Sequence, residues 1–200
     1  MNRRQRILHT IRIMLIPSAG KRVAYMKKHG LFGEIGENVH IQGRVLPLHS
    51  NLIHIHDNVK IASNVTFLTH DIIHKMLNCK MDTDRFIERV GCIEIMDHVF
   101  IGAGSQIMYN VRIGSNVIIA AGSIVTKDIP DNSVYAGVPA RYICSFDEYL
   151  KKAEANSKNF ADTYGAEALR PGSGVSQELA QKLYADFQKQ KAAASEEHAE

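Results

Sequence analysis

Between Ile35 and Ile143 the apolar residues recur every six positions. Ile95, Ile101, Ile107, Ile113, Ile119 and Val125 form one register. Val99, Ser105, Val111, Val117, Ser123 and Ile129 form a second, four residues later. A small residue often follows the first position, as in Ile101-Gly102, Ile113-Gly114 and Ile119-Ala120. The same grammar opens earlier at Ile35 and Ile41, with Val39 and Val45 in the second register. It slips by two residues between Pro47 and His54, then resumes at Ile55, Ile61 and Phe67 with Val59 and Val65. A longer break runs from about His70 to Cys92. An α-helix needs apolar residues three and four apart, and a half-buried strand needs them two apart. A unit of six with one large branched residue and a small neighbour suits a short strand and a turn. One such unit cannot bury its apolar side, so several must stack. The pattern predicts a parallel β-helix with coils about 4.8 Å apart, built from β-branched residues that suit strands.

The flanks follow helical spacing. Ile7, Ile11, Met14 and Leu15, then Val23 and Met26, predict two short helices divided by Pro17 and Gly20. Phe146 to about Tyr164 predicts a third. Ser176 to about Lys191 predicts a fourth, with Ser176 as N-cap and Leu179, Leu183 and Phe187 on one face. A linker is expected at Arg170-Pro-Gly-Ser-Gly, and the tail Ala192–Glu200 is expected to fray. The 200 residues therefore divide into an N-terminal helical cap (1–33), a β-helix domain (34–145, with a loop excursion at about 71–92) and a C-terminal helical extension (146–200). The flanking helices are expected to cover the open ends of the solenoid, which otherwise expose sheet edges.

A net charge of +3 gives no global case for nucleic acid, but the charge is unevenly placed. Arg3, Arg4, Arg6, Arg12, Lys21, Arg22, Lys27 and Lys28 precede the first acid, Glu34. A solvated helix face is the plainer reading of residues 1–30; peripheral contact with a membrane surface or an anionic ligand is the other. The three cysteines, Cys79, Cys92 and Cys144, form no C-x-x-C pair, which argues against a disulfide framework and fits a reducing cytoplasm. Arg12 interrupts the apolar stretch Ile7–Ile16 and no small-residue cleavage site follows, so a signal peptide is not expected. Nor does any uncharged apolar run reach the length of a membrane span.

The six-residue pattern, over roughly Ile35 to Ile143, resembles the hexapeptide-repeat acyltransferases. The resemblance implies a mainly β fold: a left-handed parallel β-helix of hexapeptide repeats with short α-helical N- and C-terminal flanks. It also implies a homotrimer with active sites between subunits. The left hand departs from the usual right-handed crossover and comes from the resemblance alone.

The break in the repeat is where chemistry is expected, because solenoid insertions sit at corners and often carry function. It begins Phe67-Leu68-Thr69-His70-Asp71. Ester transfer from a thioester to a hydroxyl needs a base for the hydroxyl proton, and a neutral imidazole suits that task. Asp71, Asp82, Asp84 or Glu88 can orient the ring, and backbone N–H groups can stabilise the oxyanion. Among ten histidines, most fit surface or hydrogen-bonded structural roles; His40, His54, His56 and His98 fall at outward repeat positions. His70 stands out by following a Thr at the coil exit, with His74 as its rival. His49 and Asn51, in the slipped coil, are candidates for the acceptor pocket, although an ordinary corner loop explains them too. Thr69-His70 resembles the catalytic segment of maltose, galactoside and polysaccharide O-acetyltransferases, which implies that His70 is the general base.

Ala120–Pro130 followed by Ala136-Gly-Val-Pro-Ala-Arg141 resembles the C-terminal coils of the same enzymes. By that resemblance Ala103 and Ala121 meet the pantetheine arm of acetyl-CoA as co-substrate, Thr126 and Lys127 lie near adenine and ribose, and Arg141 meets phosphate. Small residues that admit an extended arm, and cations that pair with phosphate, make physical sense of this assignment. The family often has Trp where this chain has Phe100, and a second basic residue where it has Cys144. The expected reaction is acetyl-CoA-dependent O-acetylation of a sugar or polysaccharide precursor. N-acetylation of an amino sugar and a zinc hydrolyase of the γ-carbonic anhydrase kind are alternatives, as is a non-enzymatic trimeric scaffold. No resident metal is expected.

Overall fold

The computed structural model describes residues 2–166 and 174–197. The chain forms two compact units, Met1–Tyr149 and Leu150–Glu200. In the first, short parallel strands stack into three faces. One face holds Glu34–Ile35, Ile53–Ile55, Ile93–Ile95 and Val111–Ile113. A second holds His40–Ile41, Lys60–Ile61, Val99–Ile101, Val117–Ile119 and Ser133–Ala136, and is closed by the antiparallel strand Arg141–Ser145. The third holds Thr66–Leu68, Gln106–Met108 and Ile124–Val125. Both six-residue registers point inward: Val99 and Ile101 are buried and Phe100 between them is exposed. Ile55, Ile95 and Ile113, like Ile101 and Ile119, stack in a column without solvent contact.

Strand register measures each coil. Glu94 pairs with Arg112, a step of 18 residues. Glu34 pairs with His54, a step of 20, which locates the two extra residues of the slipped coil. His54 pairs with Glu94, a step of 40, which holds the long excursion. Corners are turned by residues with positive φ: Asn38, Asn58, His98, Asn116 and Asn132. Their side chains ladder between coils, Asn38 to Asn58 at 2.8 Å and Asn116 to Asn132 at 2.9 Å. His98 occupies the corner between those two pairs.

Two expectations need correction. Val45, expected inward, is 65% exposed, and Leu46 is fully buried in its place. Just before it, Arg44 donates to the Met14 carbonyl at 2.7 Å. The excursion is not a bare loop. It opens with His70–Asp71 paired antiparallel to Arg89–Val90 and contains a helix, Ile73–Met81. Asn78 clamps it, donating to the Phe86 carbonyl and accepting from the Phe86 amide.

Two helices, α1 (Arg3–Leu15) and α2 (Ala19–Lys28), pack at the first coil. Their anchors are Ile13, Val23 and Met26, which join the solenoid core. Ile7, Ile11, Met14 and Leu15, the stripe that marked the first helix in the sequence, face outward. The buried Arg22 donates to the carbonyls of Ile16, Pro17, Ile41 and Gln42, tying the helical turn to the first coil. Such carbonyls lack a strand partner at a solenoid end, and a five-donor guanidinium answers several at once. The excursion helix is α3, and Phe146–Tyr164 is α4. In the second unit α5 spans Gln177–Glu197, beyond the expected Lys191 and into the segment expected to fray. Ser176 caps it, accepting from the Leu179 amide at 3.2 Å. The linker expected at Arg170–Gly174 lies, except for Gly174, outside the described residues.

Candidate active site

The site is built where the chain leaves and re-enters the solenoid. Thr69 is buried; its hydroxyl donates to the Leu48 carbonyl at 2.8 Å, and its own carbonyl accepts from Gly91 at 2.9 Å. One residue thus pins the slipped coil, the exit and the return. His70 follows, half-buried, with Nδ1 shielded from solvent and, among the described residues, without a hydrogen-bond partner. Nε2 is not shielded in this way. The His49 ring meets the His70 ring edge-on, with centroids 5.2 Å apart. His49 holds φ 52° and opens the 3-10 turn Ser50–Leu52, whose Ser50 hydroxyl donates to the Leu31 carbonyl. The two extra residues of this coil allow the chain to turn here and present His49 to His70.

Asp71 takes other partners. Its carboxylate accepts from the Tyr109 hydroxyl at 2.7 Å and from the Ile73 amide at 3.1 Å. The Tyr109 bond holds its pKa below the usual aspartate range against the opposing effect of burial, with Ile73, Arg89 and His74 adding to the depression. Asp71 in turn raises the Tyr109 phenol. Among the described residues no hydrogen bond joins Asp71 to His70; the carboxylate fastens the base of the excursion to the next coil. His74, the rival base, sits in the first turn of α3, and its Nδ1 is likewise shielded and, among the described residues, unpartnered.

His49 and Asn51 line a cavity of about 330 Å³ with Leu48 and Ser50. Its other wall is Asn2, Arg3 and Arg6 of the N-terminal segment. A second cleft of about 290 Å³ gathers Thr126, Lys127 and Arg141 with Asp128, Tyr135 and Tyr142. Ala103 and Ala121 stack on successive coils, Gly122 donating to the Ala103 carbonyl at 2.8 Å. Both are exposed. The coils approach so closely here that a Cβ on Gly102 falls 2.3 Å from the Ala121 nitrogen. Register relates the two regions: Leu68 pairs with Met108, and Gln106 with Ile124. The His49 cavity and the Lys127 cleft are nevertheless separate, and His70 lines neither. Among the described residues no three His, Cys, Asp or Glu side chains gather as a metal-holding group.

Tyr109, Arg3 and Arg6 were not legible as site residues. Tyr109 lies 38 residues from Asp71, and its only sequence signal is a polar aromatic just after an inward repeat position.

A family model for bacterial transferase hexapeptide (six repeats) matches residues 93–127. Galactoside O-acetyltransferase of Escherichia coli K12 is 42% identical over 116 residues, covering 54% of each chain. The chain thus spans about half the length of such curated relatives. The crystal structure of a maltose O-acetyltransferase from Clostridium difficile 630 is 30% identical, with a TM-score of 0.55, and covers 72% of this chain and 85% of that one. A galactoside acetyltransferase in complex with coenzyme A is 27% identical, with a TM-score of 0.53, and covers 74% of this chain and 82% of that one.

Proposed function

The chain belongs to the bacterial hexapeptide-repeat transferases, and from that premise we propose that it moves an acetyl group from acetyl-CoA to a sugar hydroxyl, with His70 as general base. The observation that carries the reading is the His70 imidazole at the coil exit, pinned through Thr69, sealed at Nδ1 and leaving Nε2 for a ligand. His70 Nε2 accepts the hydroxyl proton as the acceptor oxygen attacks the thioester carbonyl. The tetrahedral oxyanion collapses, the C–S bond breaks, and the imidazolium returns the proton to the departing thiolate. General-base action of this kind contributes roughly 10²–10⁴-fold.

Lys127 and Arg141 hold the phosphates of the donor, Thr126 lies near its adenine and ribose, and the exposed backbone at Ala103 and Ala121 accepts the pantetheine arm. His49 and Asn51 line the acceptor side, where a galactoside- or maltose-like sugar or a polysaccharide precursor binds. The β-helix is left-handed and assembles as a homotrimer. Exposed Ile72, Ile73 and Met76 on the excursion support that assembly, offering an apolar surface for a neighbouring copy. The free Cys79, Cys92 and Cys144 support a cytoplasmic setting.

The test couples acetyl-CoA titration calorimetry with thiol release in the presence of galactosides and maltose. Wild-type protein binds acetyl-CoA and releases thiol only with acceptor. His70→Ala binds acetyl-CoA normally and turns over roughly 10²–10⁴-fold more slowly. Near-normal turnover removes His70 from the mechanism, and failure to bind acetyl-CoA removes the donor.

A further inference from the structure

The apolar stripe of α1 is the face that the fold leaves uncovered. Ile7, Leu8, Ile11, Met14 and Leu15 are 45–76% exposed. On a helix they fall within one arc about 120° wide. The opposite face is firmly backed. Ile13 is fully buried, His9 Nδ1 lies 2.7 Å from the Tyr25 hydroxyl, and the rings of His9, Tyr25 and His29 pack together. The stripe is thus held outward by a packed scaffold.

Cations surround it. Arg3 and Arg4 stand at its N-terminal end and Arg12 on its flank. Arg44 reaches its C-terminal end through the bond to the Met14 carbonyl. Among the described residues none of these four arginines forms an ion pair. No acid precedes Glu34. A soluble polyanion satisfies the arginines but leaves five large apolar side chains in water. A neutral apolar partner covers the stripe but strands the charge. The headgroup region of an anionic bilayer answers both, taking apolar side chains to shallow depth and pairing phosphates with arginine. We propose that α1 is an interfacial helix that docks this chain flat on an anionic membrane surface. With 13 residues α1 is too short to span a bilayer, and no described helix is long and apolar enough to cross one. This contact stands independently of the acetyl-transfer reading.

The full chain is sedimented with vesicles of phosphatidylcholine alone and with vesicles containing about one third phosphatidylglycerol. Binding is expected to the anionic vesicles at low ionic strength, about tenfold or more tighter than to the neutral ones, and weakened by salt. Leu8→Asn with Ile11→Asn lowers that affinity by about tenfold or more. Arg4→Glu with Arg12→Glu does the same, and circular dichroism confirms the fold of each; should one variant misfold, the other decides. The proposal is overturned if the anionic vesicles bring down no protein, if neutral vesicles bind equally, or if the folded apolar variant binds unchanged. It is also overturned if that variant changes the oligomeric mass in light scattering, because a second copy then covers the stripe.

Discussion

Gly102→Ala tests the close stacking on which the proposed donor groove depends. The new Cβ falls 2.3 Å from the Ala121 nitrogen and 2.7 Å from the Ala120 carbonyl carbon and Ala121 Cα. All three are backbone atoms, so no side chain can swing aside. Ordinary contact requires the coils to part by about 1 Å. That strains the bonds from Gly102 to the Ile119 carbonyl and from Gly122 to the Ala103 carbonyl, each 2.8 Å. Overpacking costs about 1–3 kcal/mol, and two weakened hydrogen bonds add about 1 kcal/mol each at most. The expected loss is about 3–4 kcal/mol. Gly122→Ala is the control: its φ is 73° but nothing lies within 4 Å of the new Cβ, so the cost is the left-handed backbone alone, about 1–2 kcal/mol. Thermal unfolding followed by circular dichroism should separate the two variants by about 4–8 °C. Acetyl-CoA calorimetry should show weaker binding for Gly102→Ala, because Ala121 forms the wall that moves. Equal melting temperatures refute the argument, since coils that can relax around a methyl group are not in backbone contact.

Three further outcomes are expected. Lys127→Glu with Arg141→Glu raises KM for acetyl-CoA by about tenfold or more and leaves the acceptor KM nearly unchanged; steady-state thiol release decides, and an effect confined to the acceptor moves the donor elsewhere. Arg22→Met leaves the four carbonyls of Ile16, Pro17, Ile41 and Gln42 without their donor, costing about 3 kcal/mol, which urea unfolding measures; unchanged stability means water replaces the guanidinium. The depressed pKa of Asp71 makes its contact with Tyr109 stabilising above the ordinary aspartate pKa and lost as pH falls through the lower folded value. Tyr109→Phe should raise the Asp71 pKa in a carboxyl NMR titration, and an unmoved pKa refutes the contact.

What could be read without the structure was local or periodic. A six-residue period is a property of neighbouring residues, so Ile95 through Val125 announced stacked coils wherever the chain ran in step. The break after His70 was equally plain, as was the helical spacing of the flanks. Tertiary structure decided whatever depended on how extra residues are looped out. Leu46 rather than Val45 turns inward in the coil whose Arg44 reaches Met14, 30 residues away. His49 meets His70 only because the two added residues of its coil turn back onto the Thr69 anchor. Asp71 faces Tyr109 because a strand pair returns the excursion to the solenoid. The stripe of α1 was visible as periodicity, but periodicity has no inside or outside. Ile13 and the His9–Tyr25 contact set the helix rotation and turned the stripe to solvent. Repetition along a chain determines a stacking axis, whereas the facing of a particular side chain depends on closing long loops, and no local pattern encodes that closure.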